Sequence, residues 1–525
     1  MDPRIRGEAA VAGIAAGAAT LGAAEVLAAG LTRTVGTDGT PSPLLAVAAA
    51  FVDLTPPWLK DLAVAAFGTA DKLALFIGMG LVLVVLAAAL GVVTLGRPVL
   101  GRALFVLVGA IAMAAVLTRP GSSPGDAAPI LLGVAVGLVV LTALSRTVAA
   151  AHRSDPPAGS LEARTEMPGE HARRRVLVTG GAITVLGALA VAGGRALATA
   201  SDAVRAAREA IVLPRVRRTV AVPAGAEQGV AGQTSYVTPN DGFYRIDTAL
   251  VVPQVDPDSW RLRVHGMVER EIEIDLADLL AEPLIEALVT LTCVSNEVGG
   301  NLAGNAVWTG WPVRELLARA GPLPGADMVL STSADGWTAG TPLTALTDER
   351  NSLLAVGMNG EPLPAQHGFP VRLVVPGLYG YVSATKWLVD LKVTRFAADV
   401  GYWTPRGWSA EGPIKTAARI DVPRRSSIDA GETVIAGVAW AQHRGIQRVE
   451  VRVDEGAWLE AVLAEEPSID SWRQWMLPWD ASPGNHTLTV RATDGEGAVQ
   501  TEQRAAPAPD GASGWHTVQV TVAGP

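Results

Sequence analysis

The run Leu288-Val289-Thr290-Leu291-Thr292-Cys293-Val294-Ser295-Asn296-Glu297-Val298-Gly299-Gly300-Asn301 carries the decisive reading. Its first half is apolar and rich in branched side chains, which predicts a buried strand. Its second half is a Gly/Asn-rich loop, where a ligand can approach the backbone closely. The junction is Cys293, the one cysteine among 525 residues. A lone cysteine cannot form an internal disulfide and is ordinarily a small buried core residue. At the opening of such a loop its thiolate is also a candidate nucleophile or metal ligand. A nucleophile would need a base, and His265 and His367 are candidates that spacing alone does not place. One cysteine without a Cys/His cluster fits neither a zinc nor an iron–sulfur site. It suits a metal that brings most of its ligands with it.

Outward from this run, the two parts of the chain differ. Residues 1–200 hold 15 Lys+Arg and 12 Asp+Glu, residues 201–525 hold 27 and 39, and the formal net charge is −9. Of the 14 Trp, 13 lie after residue 200. An acidic, Trp-rich second part argues against a nucleic-acid partner, which needs a basic face. With 49% apolar and 18% charged residues, part of the chain is expected to lie outside water. Whole-chain disorder and a small disulfide scaffold are excluded.

The apolar part is read as about five membrane spans: Ala9 to Leu31, Lys72 to Leu95, Gly101 to Leu117, Pro129 to Ala149 and Val176 to Ala198. The stretch from Pro43 to Gly68 is broken by Asp53, Pro56, Pro57, Lys60 and Asp61 and reads as interfacial or re-entrant. Arg4 and Arg6, Arg97 and Arg102, and the group from Arg146 to Arg175 fall on one side of a five-span arrangement. That side is expected to be cytoplasmic, which puts the chain after Ala198 outside. Arg173-Arg174-Arg175-Val176-Leu177-Val178 reads as a positive anchor or as an internal twin-arginine export signal. Glu25 lies inside the first span, where a carboxylate is a functional candidate or a partner of a neighbouring helix. No span holds a histidine, so paired axial ligands for a membrane haem are absent, as is a covalent haem-attachment motif.

After the spans, residues 201–234 read as a helix and an extended tether. Strand-like alternation at Trp260 to His265 and Glu271 to Ile274 follows, with short helices at Leu276 to Leu280 and Val313 to Ala320. Further strands are expected at Pro370 to Val375 and Trp387 to Thr394. This mixture predicts an α+β domain over 235–418. From 419 to 525 strand candidates recur at short intervals with turn signals between them, which predicts an immunoglobulin-like β-sandwich.

Several motifs in order resemble the sulfite-oxidase-type molybdopterin enzymes. They are Leu291-Thr292-Cys293-Val294-Ser295-Asn296, Gly304-Asn305 with Trp308-Thr309-Gly310, Met358 to Pro364, His367-Gly368-Phe369-Pro370-Val371-Arg372, and Pro376-Gly377 leading to Lys386-Trp387. The resemblance covers about 235–418, and 420–525 is similar to that family's C-terminal dimerisation domain. It implies that Cys293 is the protein's thiolate ligand to molybdenum, inside a molybdenum–molybdopterin cofactor. It implies cofactor contacts from His367, Arg372, Ser333, Ala384, Thr385 and Lys386, and from Asn240, Tyr244 and Arg245 in the loop Asn240 to Arg245. Gly377 and Gly380 would permit close backbone approach.

The departures bear on substrate. Where sulfite oxidases carry a substrate-binding arginine, this chain has Asp247; a pterin-contacting histidine becomes Ala249, and the active-site tyrosine aligns with Trp408. Arg245 and Arg406 are candidates to replace the lost charge. The catalytic set implied is therefore Cys293, Trp408, Asp247 and Arg245. The expected activity is oxygen-atom transfer outside the cytoplasm, by oxidation of a sulfite-like substrate or reduction of an S-oxide or N-oxide. Its partners are a small-molecule oxygen donor or acceptor, a separate electron-transfer partner, the lipid bilayer and a second copy in a homodimer. The rival reading is a cofactor-free surface protein that keeps the fold for binding.

Overall fold

The computed structural model describes residues 2–34, 40–56, 59, 71–119, 122–153, 168–199, 202–424 and 427–524. The chain divides into two units, Met1–Ser201 and Asp202–Pro525.

The first unit is helical: α1 (Pro3–Thr34), α2 (Pro43–Leu54), α3 (Asp71–Gly96), α4 (Pro98–Leu117), α5 (Ala128–Arg153) and α6 (Pro168–Thr199). Five of these helices are long and apolar enough to cross a membrane, and each of the five predicted stretches falls in one of them. The sixth, α2, has only 12 residues; Ser42 caps its N-terminus and a proline opens it. The predicted interfacial segment continues past it to residue 68 and there lies mostly outside the described residues. Asp53, one of the charges that argued against a span, pairs with Arg119 at 2.9 Å.

Helix α1 is the axle, packed against α3, α5 and α6. Its inward residues are small: Ala9, Ala12, Ala15, Ala16 and Ala24 are all buried. A Cβ on Gly13 would come within 2.8 Å of the Gly91 backbone nitrogen, so α1 and α3 touch main chain to main chain. Glu25 is buried and satisfied: it accepts from Ser42 Oγ at 2.7 Å and from the Leu44 amide at 3.2 Å. Its carboxylate therefore sits at the positive N-terminal end of α2.

The second unit begins with α7 (Asp202–Ala210). Its first ten strands are β1 (Arg261–Gly266), β2 (Ile272–Asp275), β3 (Ile285–Thr292), β4 (Ala303–Pro312), β5 (Met328–Ser333), β6 (Thr338–Pro342), β7 (Leu353–Met358), β8 (Glu361–Pro362), β9 (Arg372–Val374) and β10 (Leu388–Thr394). Short helices α8 (Leu276–Ala281), α9 (Val313–Ala320) and α10 (Leu343–Thr347) lie between them. One sheet runs β2-β1-β10-β5-β6, with β1 and β10 parallel. The other runs β3-β4-β7-β8, with β9 added on β7. These two sheets and three helices occupy the stretch that the sequence reads as α+β.

Nine strands follow: β11 (Ala417–Val422), β12 (Ser427–Asp429), β13 (Gly431–Trp440), β14 (Ile446–Val453), β15 (Trp458–Glu460), β16 (Val462–Leu463), β17 (Arg473–Ala481), β18 (Gly484–Asp494) and β19 (His516–Ala523). They form sheets β11-β13-β17-β16 and β12-β19-β18-β14-β15. Ile435, Ala439 and Trp475 of one sheet share a core with Val449, Leu488 and Val520 of the other. Alternating apolar residues on both inner faces produce this packing.

The segment read as a tether is bonded onto the unit it enters. The Arg217 amide donates to Leu284 O at 2.7 Å, and Gln474 Nε2 donates to Thr234 O at 2.7 Å. Gln233 Nε2 reaches Gly437 O at 2.8 Å. A stretch rich in Ala, Arg and Gly and broken by Pro214 and Pro223 reads as a tether in sequence. Here its amide and carbonyl groups find partners on neighbouring strands instead of in water.

Candidate active site

Strand β3 delivers Cys293 to the end of its sheet. The Cys293 amide donates to Leu302 O at 2.9 Å, and Asn296 closes the following loop by accepting from the Leu302 amide at 2.8 Å. The C-terminal sheets hold the strand from beneath. Gln442 Nε2 donates to Thr290 O at 2.9 Å and to Thr292 Oγ1 at 3.1 Å, and the Trp472 amide donates to Thr290 Oγ1 at 2.7 Å. Arg419 Nη1 donates to Gly300 O at 2.7 Å, and His516 packs against Gly299.

Cys293 opens into a cavity with about 950 Å³ of empty space, its open mouth included. Of the residues singled out in the sequence, Tyr244, Asp247, Cys293, Ser333, His367, Arg372, Ala384, Lys386 and Trp408 line it, as does Gly380. Asn240, Arg245, Ala249, Thr385 and Arg406 are not among its lining residues.

The residues behind the wall act on those in it. Asn240 O accepts from His367 Nε2 at 3.0 Å. A carbonyl only accepts, so Nε2 carries the proton and Nδ1 keeps its lone pair. Burial, then the Arg372 charge, push His367 down to about 4, so the ring is neutral at ordinary pH. Thr385 Oγ1 shares a hydrogen bond with Ser331 Oγ at 2.6 Å, anchoring the stretch that presents Ala384 and Lys386. Gly377 has φ +83°, a left-handed conformation that favours glycine.

Two cations face the cavity. Arg372 is buried; its Nη1 donates to His367 O at 3.0 Å and its guanidinium lies 5.0 Å from the Trp308 ring. Burial lowers it to about 10, and it remains charged. Among the described residues no carboxylate pairs with it. Lys386 Nζ donates to Asp247 Oδ2 at 2.5 Å, and Arg245 Nε donates to the same oxygen at 2.8 Å. Burial lowers Lys386 to about 8 against the opposing pull of Asp247. Burial likewise raises the Cys293 thiol, with Ser295 and then Lys386 pulling the other way. The Tyr244 hydroxyl is raised by burial and then by Cys293, so it stays protonated.

Three basic side chains named in the sequence have partners within the protein. Arg245 and Arg406 do not supply a free charge for an anionic substrate. Arg245 is taken up by Asp247, two residues away, and Arg406 stacks 3.7 Å from the Tyr402 ring centre while donating to Tyr402 O. Lys386, which the resemblance places on the cofactor, lines the cavity and pairs with Asp247. A carboxylate within reach of a long basic side chain wins over a more distant anion, because the interaction falls with separation.

The sequence reading also missed wall residues. Asp335 and Trp337 line the cavity from the turn between β5 and β6, and Tyr381 and Trp403 line it together with Trp408, against whose ring each packs. Asp335-Gly336 is a dipeptide that favours a turn, but nothing local in the sequence says that this turn meets Cys293.

Residues 249–403 match the oxidoreductase molybdopterin binding domain. The chain is 30% identical over 336 residues to sulfite oxidase of Arabidopsis thaliana, covering 51% of this chain and 83% of that one. It is 34% identical over 184 residues to an uncharacterized oxidoreductase, YuiH, of Bacillus subtilis, covering 34% of this chain and 89% of that one. The chain belongs to the sulfite-oxidase-type molybdopterin-dependent oxidoreductase family. Mitochondrial sulfite oxidase of Rattus norvegicus is 33% identical over 293 residues, 46% of this chain. The match spans 53% of that relative, about half its length.

The family's cofactor is molybdenum–molybdopterin, and the cavity fits it on two observations. Arg372 is a buried charge with no carboxylate partner among the described residues, which is costly unless an anion completes it. Ser333 Oγ is buried, lines the cavity and has no hydrogen-bond partner among the described residues. A phosphate-bearing cofactor offers acceptors to both. The one thiol supplies the soft donor that a metal with its own sulfur ligands lacks.

Proposed function

We propose that this protein is a membrane-anchored molybdopterin oxidoreductase that moves an oxygen atom between a small organic or inorganic molecule and water. The carrying observation is the cavity that combines the Cys293 thiol with the buried, carboxylate-free Arg372. Cys293 would ligate the metal, and Arg372 and Ser333 would hold the anionic and polar parts of the pterin. His367 would accept at Nδ1, since its Nε2 proton is committed to Asn240 O. When bound, the cofactor supplies two-electron oxygen-transfer chemistry. The chain's own residues fix its position, keep Tyr244 protonated as a donor, and shape the rim that meets the substrate.

The five apolar helices support lodging in a membrane, with the second unit on the extracytoplasmic side. The arginine distribution supports that orientation, and a folded, cofactor-loaded domain outside fits the twin-arginine route through Arg173 and Arg174. We further propose that 235–418 is the catalytic domain, that 201–234 connects it to the helices, and that 419–525 is an immunoglobulin-like dimerisation-type domain. Electrons pass to or from a separate partner protein.

The test is molybdenum and pterin content of the purified protein, with about one of each per chain expected. Cys293→Ala should abolish oxygen-transfer activity with an unchanged thermal transition. Absence of cofactor from protein made in a host competent to supply it would favour the rival binding-protein reading. A reporter fused after Pro525 should be active outside the cytoplasm; a cytoplasmic signal overturns the orientation.

A further inference from the structure

We propose that Asn359 is a positioning residue: acting through Asn240, it keeps the His367 proton on Nε2 and so leaves the Nδ1 lone pair to the cofactor. The inference rests on the molybdopterin reading and gives a task to a residue outside the cavity wall.

Asn359 and Gly360 form the two-residue turn between β7 and β8, with φ +52° and +82°. Two left-handed residues in succession make the tight hairpin turn that asparagine–glycine favours. The Asn359 side chain meets three groups. The Val307 amide can only donate, so it fixes Oδ1 as the acceptor, at 3.0 Å. Nδ2 then donates to Thr238 O at 3.0 Å and to Asn240 Oδ1 at 2.8 Å. Asn240 in turn places its own Nδ2 on Met358 O at 3.3 Å. Neither side-chain amide can flip without losing these bonds.

What the network holds in place is a carbonyl. Asn240 O accepts from His367 Nε2 at 3.0 Å. The His367 ring is buried and meets the Phe243 ring edge-on, with centres 5.5 Å apart. Among the described residues no protein group bonds to Nδ1. A neutral imidazole has one proton for two nitrogens, and the partner at one nitrogen decides which of them carries it. Were the Asn240 carbonyl to drift away, the proton would divide between the two. The fraction protonated at Nδ1 would meet a pterin N–H donor with a donor of its own.

The same turn is also held from another side. Arg208 of α7 donates from Nε to Leu363 O at 2.9 Å and from Nη2 to Pro362 O at 2.7 Å. These bonds support the chain that runs toward His367 and involve neither Asn240 nor the ring. Arg208 therefore separates support of the turn from placement of the carbonyl.

The test uses full-length protein in lipid, labelled with nitrogen-15 at histidine and made in a host competent to supply the cofactor. Solid-state NMR distinguishes a bare ring nitrogen from a protonated one, and His367→Gln assigns the signal. Pterin retained through dialysis is the second readout. Asn359→Asp keeps the size and tolerates the left-handed backbone but cannot donate to Asn240. Asn359→Gly keeps the turn and removes the side chain. The parent should show His367 protonated at Nε2 alone. Both variants should show a second population protonated at Nδ1 and lose pterin roughly three- to ten-fold faster. Arg208→Ala should leave the His367 signal as in the parent. A parent ring protonated at Nδ1 overturns the inference, as does either Asn359 variant that keeps the proton on Nε2 alone. Mixed tautomers without faster pterin loss overturn it too. So does Arg208→Ala mixing the tautomers equally, since any loosening of the turn would then suffice. Protein that shows the tautomer response yet holds neither molybdenum nor pterin keeps the positioning role and sinks the oxidoreductase reading instead.

Discussion

The two units bury opposite kinds of residue. In the helical unit the hidden residues of α1 are alanines, while Val85 is 69% exposed and Leu81, Leu186 and Leu189 also face outward. In the second unit the hidden residues are the largest available: Trp260, Trp308, Trp311, Trp387, Trp472 and Trp475 are all fully buried. Water drives large apolar side chains inward, so the second unit follows the ordinary rule. Lipid is as apolar as leucine and gives no such drive, so helices there approach through small residues and leave large ones outside. The inversion lends support to the proposed membrane setting that helix length alone does not provide.

The comparison can be broken by truncating on one side and enlarging on the other. Trp308→Ala removes a buried ring, its hydrogen bond to Val289 O and its contact with Arg372. It should cost about 3–5 kcal/mol in denaturant unfolding of the second unit. Ala15→Leu in α1 should cost about 1–3 kcal/mol in detergent, because a large side chain has no room between packed helices. A smaller effect tests how the C-terminal sheets grip the Cys293 loop. His516 Nδ1 accepts from the Ile420 amide, and burial, then Arg419, push its pKa down to about 4. The folded state therefore prefers the neutral ring. Its contribution to stability is full above the unfolded value near 6.5 and is lost as pH falls from there toward 4. Acidification through that window should cost roughly 1–2 kcal/mol, and His516→Phe should flatten the slope. The smallest effect belongs to Val85→Ala, expected to shift stability by about 0.5 kcal/mol or less. A loss at Val85 as large as that at Trp308 would mean that the outer face of α3 is a protein core rather than a lipid face.

Much of the fold was legible because its signals are local. Helix α9 begins and ends where Pro312 and Gly321 put it, at the predicted Val313 to Ala320. Strands β13, β14, β17, β18 and β19 overlap the predicted runs, since one face of each is in the core and the apolar residues alternate. Strands β4 and β7 were not legible. Nearly every residue in them is buried, so no alternation marks them, and Gly304-Asn305 and Pro312 look like turns. Gly304 is in the strand because a Cβ there would come within 2.7 Å of the Phe243 ring.

The sequence by itself determined the apolar segments, the strand-to-loop setting of Cys293, and the motif order that carries the family. Those are properties of neighbours along the chain, decided by periodicity, turn chemistry and the choice of residue type. Only the tertiary structure decided which charges are free. Asp247 looked like a carboxylate aimed at substrate until Lys386, 139 residues away, was found on it. Arg245 looked like a spare cation until it was found on the same oxygen. Asp335, unremarkable in sequence, lines the cavity only because the fold brings the turn between β5 and β6 to it. A charge is available to a ligand only when no closer opposite charge claims it, and distance in space is what folding sets.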